Sequence, residues 1–422
     1  MKVEYIPNSE INSIMNSYSG DDRLKIAAEL FRINTLYMVS KAGSGHLGSS
    51  FSSMDIMTWL WLEEMKDPNG DSVDSDIFFS SKGHDAPAMY SIMIGTGKLS
   101  EDNLHTLRRL HGLPGHPDIE TSYVKTNTGS LGMGISKAAG FSIARSMLNK
   151  NGRIFVLTGD GELQEGQIWE SLQPVVNLEL NNIIMIVDHN KIQSDTWVKD
   201  TSDLGDLVSK FKSFGWHVGR VDGNNIAELR SMLRTLESMP VKRPIVIIAD
   251  TIKGKGVSFM QTLITAEDGT YYKFHSGAPK ELDYKNAFQE LKNNLVMLIG
   301  TEKLSAIQFQ TVDIPDKILP KNPQHLISAY SDELLKLSEN NKKIIAMDAD
   351  LVLDTGLIPF KNKHPERYFE CGIAEQNMVS MAGTMALEDF IPIVHSFACF
   401  LTTRAQEQIF NNATEKSKII YV

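Results

Sequence analysis

The chain reads as an α/β protein with parallel sheets, organised as two α/β domains of which the second is truncated. Three observations predict this. Between Arg153 and Ile192 an apolar run, Ile154 to Leu157, is followed by a helix-like segment of about 15 residues and a second apolar run, Ile183 to Val187, which is the pattern of one βαβ unit. Short β-rich runs at Gly215 to Asp222 and Pro244 to Asp250 read as further buried strands. Three prolines between Ile314 and Pro323 then mark a linker, beyond which strand-like and helix-like patterns begin again. The expected boundaries are 1–300 for the first domain, 301–325 for the linker and 326–422 for the partial second domain.

Residues 21 to 65 are expected to be helical, with Ile26, Leu30, Ile33 and Tyr37 on one face, interrupted by the glycine-rich stretch Lys41 to Ser49. A helix of small residues is expected from Ile135 to about Met147, and a charged one from about Leu282. In the second domain a helix is expected from Ser328 to Glu339, with strands at Lys343 to Met347, Ile391 to Val394 and Ile419 to Val422.

At 422 residues the chain has room for two to three cores, and a 42% hydrophobic, 22% charged composition is that of a soluble globular protein. A net charge of −10 argues against nucleic acid and anionic membranes as partners. Cys371 and Cys399 are the only cysteines, too few for a disulfide scaffold. The N-terminal stretch lacks the apolar core of a signal peptide, and no window has 18 uninterrupted apolar residues. The expected location is cytoplasmic.

In a parallel sheet, the ends of the two strands of the βαβ unit lie side by side at the carboxyl edge, where ligands bind in open α/β folds. Asp160 and Asn190 would meet there, and a carboxylate with an amide oxygen suits a hard cation such as Mg²⁺ completed by a ligand's phosphates. Gly159 and Gly161 allow close backbone approach, although a plain strand-to-helix turn explains a Gly-Asp-Gly by itself. Three glycine-flanked histidines follow one another along the chain, His46, His84 and His116; a turn residue satisfied by backbone is the plain reading of any one of them. The glycines of Thr128 to Gly134, just before a helix, suit an anionic diphosphate.

GDGELQEGQIWE, from Gly159 to Glu170, with Asn190-Lys191 beyond it, resembles the thiamine diphosphate fingerprint of transketolases. The resemblance runs from about Arg23 onward through the SGHxG segment at His46, the TGxLGxG element at Thr128, the His275-Ser-Gly-Ala-Pro279 segment and GIAEQNM at Glu375. It implies a thiamine diphosphate-binding fold and transfer of a two-carbon ketol unit from a ketose to an aldose, through a carbanion that the cofactor makes possible. It implies cofactor contacts from Ser49, His84, Gly129, Ser130, Leu131, Asp160, Gly161, Glu165, Asn190, Lys253, His275, Asp350, Phe397 and Phe400. A surface lysine is the plain alternative for Lys253, and a core role fits the two phenylalanines equally well. The metal, Mg²⁺ with Ca²⁺ or Mn²⁺ able to substitute, is implied to sit at Asp160, Asn190 and Ile192. His46, His84, His116 and His275 are implied around the diphosphate, the thiazolium ring and the sugar hydroxyls.

Glu375 lies between Ile373-Ala374 and Met378-Val379, and burial of a carboxyl without a cation would keep a proton available; an acid favourably placed at a helix N-terminus is the alternative. By resemblance it bonds the cofactor's aminopyrimidine and is the principal catalytic residue. The resemblance also implies a homodimer with sites at the interface, with Glu165 and Glu170 in that contact.

Two departures stand out. Where transketolases carry an arginine and a serine for the substrate's terminal phosphate, this chain has Ile327 and Asp354, which implies a sugar whose far end is unphosphorylated or differently substituted. The family pattern also continues past Val422, so a fragment, or a first subunit completed by a second chain, is expected, with an open apolar edge on the last strand. The alternatives are a non-catalytic half, or a keto-acid synthase of the deoxyxylulose phosphate type, against which GELQEGQIWE and the histidines speak. A nicotinamide dehydrogenase is disfavoured because Gly43 to Gly48 follows a helical pattern rather than a strand.

Overall fold

A computed structural model describes residues 1–266, 269–315 and 324–422. The chain forms two compact units. The first comprises Met1–Lys191, Gly205–Thr262 and Lys273–Asp316, the second Ile192–Leu204, Leu263–Tyr272 and Lys317–Val422.

In the first unit, strand β1 (Lys2–Tyr5) stands apart from a five-stranded sheet built from β2 (Ile77–Ser80), β3 (Ile154–Gly159), β4 (Ile183–His189), β5 (His217–Asp222) and β6 (Ile245–Asp250). The sheet order is β2-β3-β4-β6-β5 and every pairing is parallel. Its inner strands are buried on both faces, which is why they read as unbroken apolar runs rather than alternating ones. Asp160 and Asn190 follow β3 and β4, whose register pairs Gly159 with Asp188, so both begin loops at the same carboxyl edge.

Helix Gly20–Ala42 is buried almost all round from Leu24 to Ser40 and is therefore a central core element rather than a one-faced surface helix. It ends where Gly43 takes a left-handed φ of 72° and donates its N–H to the Val39 carbonyl at 3.0 Å. The next helix, Leu47–Trp59, starts directly after His46.

The linker expected over 301–325 is shorter on its N-terminal side. Helix Thr301–Ala306 and a strand, Gln310–Asp313, belong to the first unit, and that strand pairs antiparallel with β1 from Lys2 opposite Asp313 to Tyr5 opposite Gln310. Backbone pairing with a partner some 300 positions earlier in sequence overrides the local proline signal. Residues 316–323 of the expected linker lie outside the described residues.

The second unit has a four-stranded parallel sheet made of Tyr368–Glu370, Ile344–Asp348, Ile391–His395 and Ile420–Tyr421, in that order. One face is covered by an apolar cluster around Leu334, Leu357 and Phe360, the other by Met378, Val379 and Ala382 of helix Glu375–Leu387. Ile420 is exposed on its edge strand. Residues 192–204, which the sequence placed with the first domain, cluster here because the Ser194 amide donates to Asp350 at 3.2 Å and the Leu353 amide to Asp195 at 3.0 Å.

Candidate active site

Four histidines from four separate segments of the first unit converge. Ring centroids lie 5.1 Å apart for His46 and His84, 5.3 Å for His46 and His275, 5.4 Å for His84 and His275, and 6.1 Å for His46 and His116. Burial lowers the basicity of all four: His46 is pushed down to about 3, with Arg108, His116 and Lys253 adding to the effect, and His84 and His275 fall well below the usual range. His116 moves the same way, by burial and then by Arg108. Neutral imidazoles each carry one donor and one acceptor nitrogen. The Nδ1 of His84 sits 3.1 Å from the Lys82 carbonyl, which only accepts, so the proton is on Nδ1 and Nε2 is free to accept. Lys253 is buried, against the surface alternative, with Nζ 3.3 Å from His275 Nδ1.

Two glycine loops are pressed together behind these rings. A Cβ on Gly83 would lie 2.5 Å from the Gly129 amide nitrogen, and one on Gly129 would lie 2.6 Å from the His116 ring. Both glycines also hold positive φ, 65° and 114°. The sequence flagged these loops but not what holds them. Glu162, fully buried, accepts from the Ser81 hydroxyl, the Gly132 amide at 2.9 Å and the Gly159 amide at 3.1 Å, joining the end of β3 to both loops. Beside it, buried Lys82 pairs with Asp188 at 2.5 Å and Asp85 at 3.2 Å. Asp188 also accepts from Ser52 at 2.6 Å, from Thr251, and from the Asn190 amide at 3.3 Å. Burial alone would push the Lys82 ammonium down, but the two carboxylates hold it charged. Charged letters in a loop motif read as solvated, so neither Glu162 nor Lys82 carried a local signal of burial.

At the carboxyl edge, Asp160 is 2% exposed; its oxygens accept from the Gly161 amide at 2.8 Å and the Lys191 amide at 2.5 Å. Burial raises its pKa, with His189 pulling the other way, and among the described residues it has no ion-pair partner. A buried carboxylate in that state fits a bound cation. Among the described residues no group of three or more His, Cys, Asp or Glu forms a metal cluster, so a hard cation here would draw its remaining ligands from a phosphate. Ile192, the third residue expected at the metal, is buried and bridged to Trp197 within the second unit. The His46 Nδ1, Ser49 Oγ and Thr128 Oγ1 atoms are buried without a hydrogen-bond partner. Orphaned polar atoms beside neutral imidazoles and the amides of Gly129 to Leu131 make a cradle suited to a polar, anionic ligand. Glu165 opens helix Gly166–Asn177 and packs its Cβ close to Gly132, while Ser130 and Glu170 are exposed.

In the second unit, Glu375 is the first residue of its helix and 2% exposed. The expectation of a buried carboxyl without a cation is corrected: Arg404 donates to Oε1 at 2.9 Å, an ion pair formed between side chains that are both nearly dry. Oε2 is buried and unpartnered, leaving one oxygen available for a ligand. Phe397 is 44% exposed, which excludes a core role for it within this unit, and its ring centroid lies 6.0 Å from that of Phe400.

Asp350 holds a left-handed φ of 62° next to Asp195 and Glu370. Burial first, and then those two carboxylates, pushes its pKa up to about 8 from 3.8. The folded chain thus keeps a proton that the unfolded chain releases, so this contribution to stability is full below 3.8 and is lost as pH rises through about 8. Thermal melts of Asp350→Asn should therefore show a flatter decline than the parent between about pH 5 and pH 8; an unchanged slope would reject the assignment.

The family model described as "Transketolase, thiamine diphosphate binding domain" matches residues 24–270, and "Transketolase, pyrimidine binding domain" matches residues 323–422. The chain is 32% identical to the transketolase of Homo sapiens over 426 residues, covering 96% of this chain and 66% of that protein. It is 35% identical over 286 residues to one of the subunits of an apulose-4-phosphate transketolase from Actinobacillus succinogenes, covering 66% of this chain and the whole of that relative. It thus spans just under two thirds of the length of the first curated transketolases it matches. In fold it is similar to the transketolase of Campylobacter jejuni, with a TM-score of 0.58 at 22% identity over 96% of this chain and 69% of that one. Two family models that between them take in both α/β units, and more than 30% identity over nearly the whole chain, establish that the protein belongs to the transketolase family.

Proposed function

We propose that this chain forms the diphosphate- and pyrimidine-binding part of a thiamine diphosphate and Mg²⁺ dependent transferase that moves a two-carbon ketol unit between sugars. The observation that carries this reading is the convergence of four neutral histidines with Lys253 in a unit whose carboxyl sheet edge also bears the buried Asp160, which among the described residues has no ion-pair partner. Asp160 and Asn190 would hold the metal, and Ser49, Gly129, Ser130, Leu131 and Lys253 the diphosphate. When bound, the cofactor supplies the nucleophilic carbon and the electron sink. The chain's own part is positional and acid–base: His46, His84, His116 and His275 give and take protons at the sugar hydroxyls and the carbonyl, and Oε2 of Glu375 meets the pyrimidine edge.

The working assembly is a cytoplasmic homodimer in which Glu375 of one protomer serves the cofactor held by its partner. The relative in Actinobacillus succinogenes is named as one subunit of its transketolase, which supports a second chain completing the enzyme here. Among the described residues no helix is long and apolar enough to cross a membrane.

The substrate's far end is read as lacking the usual terminal phosphate. Ile327 lines a cavity of about 440 Å³ with His325, Ser328, Ser331, Ile358 and Pro359, which offers apolar carbon, two hydroxyls and one imidazole but no lysine or arginine. Asp354 is exposed, and what desolvation its carboxyl meets raises it. A phosphate dianion near an acid with no arginine at hand is unfavourable. The test is a circular dichroism titration of thiamine diphosphate with Mg²⁺, followed by turnover on free and phosphorylated ketoses. Saturable binding and better turnover of the free sugars are expected. No binding would overturn the cofactor reading, whereas binding with a strong preference for xylulose 5-phosphate would overturn only the substrate reading.

A further inference from the structure

The loops that carry two of the four histidines, His46 and His116, whose ring centroids lie 6.1 Å apart, are also bridged by one side chain, Arg108. Its Nη1 donates to the Ser44 hydroxyl at 2.7 Å, two residues before His46. Its guanidinium also lies against Gly115, the residue before His116: a Cβ there would be 2.7 Å from Arg108 Nε and 3.0 Å from Cζ. The backbone at Arg108 adopts a left-handed φ of 55°, uncommon for a residue with a side chain, and is closed by its amide donating to the Leu113 carbonyl at 2.7 Å. Half-buried, the guanidinium is paired with no carboxylate among the described residues. Held in a strained conformation and spent on a serine and a glycine edge instead of an acid, it is badly placed for stability alone.

We propose that Arg108 is a positioning residue whose rigid guanidinium sets the spacing between the His46 and His116 imidazoles. A planar fork can touch both loops at fixed angles, which a flexible ammonium cannot. The same charge acts on both rings. Around His46 stand Arg108, His116 and Lys253, with His84 and His275 as ring neighbours, and all the charged ones disfavour protonation. Around His116 stand Arg108, which disfavours protonation, and Asp85, which favours it. His275 responds to Lys253, His46 and Lys82 instead, and serves as an internal control.

The kinetic arm of the test rests on the ketol-transfer reading; the titration arm does not. In the full chain without added cofactor, imidazole titration is followed by NMR on histidine-labelled protein for the parent, Arg108→Gln and Arg108→Lys, and turnover is measured separately after loading with thiamine diphosphate and Mg²⁺. In Arg108→Gln the His46 and His116 titrations should move to higher pH while that of His275 stays. The KM for the ketose should rise about tenfold with cofactor affinity unchanged, and the acid limb of the pH profile should move up with the imidazoles. Arg108→Lys should keep the titrations near those of the parent yet not restore KM, because charge without the fork does not fix spacing. Unmoved titrations in Arg108→Gln, or full kinetic rescue by lysine, would overturn the proposal. A parent that turns over no ketose would sink the functional reading instead, leaving the titrations to decide Arg108.

Discussion

Replacing Glu375 with alanine is expected to abolish turnover while leaving affinity for thiamine diphosphate within about tenfold, on the order of 1.4 kcal/mol. The proposed anchors of the cofactor, Asp160, Asn190, Lys253 and the glycine loops, belong to the first unit, whereas Glu375 belongs to the second. Its removal should cost chemistry rather than binding. Glu375→Gln separates two roles: an amide can still bond a ring nitrogen but carries no charge for Arg404 to neutralise. Steady-state turnover together with cofactor titrations of both variants checks this. Retention of more than about one hundredth of the parent kcat in the alanine variant would remove Glu375 from the catalytic set.

The largest loss of stability is expected from Lys82→Met. The substitution keeps the stem but removes the only cation paired with Asp188 and Asp85 among the described residues, two carboxylates whose side chains are 0% exposed. Breaking a buried pair by deleting one partner typically costs about 3–5 kcal/mol because the remaining charge stays desolvated. The donors from Ser52, Thr251 and Asn190 soften this for Asp188, so the lower end of that range is expected. In the parent, burial would push Asp188 up, but Lys82 and the surrounding donors hold it below the usual carboxylate range. Adding Asp188→Asn should recover part of the loss, and a double-mutant cycle from urea midpoints measures the coupling. A loss under about 1 kcal/mol would mean that the triad does not hold the loops.

Strands β3 and β4 and the loops at Asp160 and Asn190 were legible because a strand buried on both faces leaves an unbroken apolar run and glycine or asparagine ends it abruptly. Glycine-flanked histidines were legible for a related reason: small neighbours leave no room to explain an imidazole as packing. The clasp of Glu162 and the ammonium of Lys82 stayed hidden inside motifs otherwise read letter by letter. Whether a charge is buried depends on partners 63 to 106 positions away, such as Asp188 with Thr251 and Lys82 with Asp188. Arg404 was missed as the partner of Glu375 because 29 positions and a helix separate them. The pairing of β1 with residues 310–313 is more remote still, and its short, polar strands offer no periodicity that could announce it.

The contact between Gly83 and Gly129 leaves the chain little evolutionary slack. A methyl group at Gly83 would meet the main chain of Thr128 and Gly129, and one at Gly129 would meet the His116 imidazole, so space could be made only by moving a loop or giving up that ring. The two loops must therefore change together or not at all, which confines freely tolerated change to positions away from this contact.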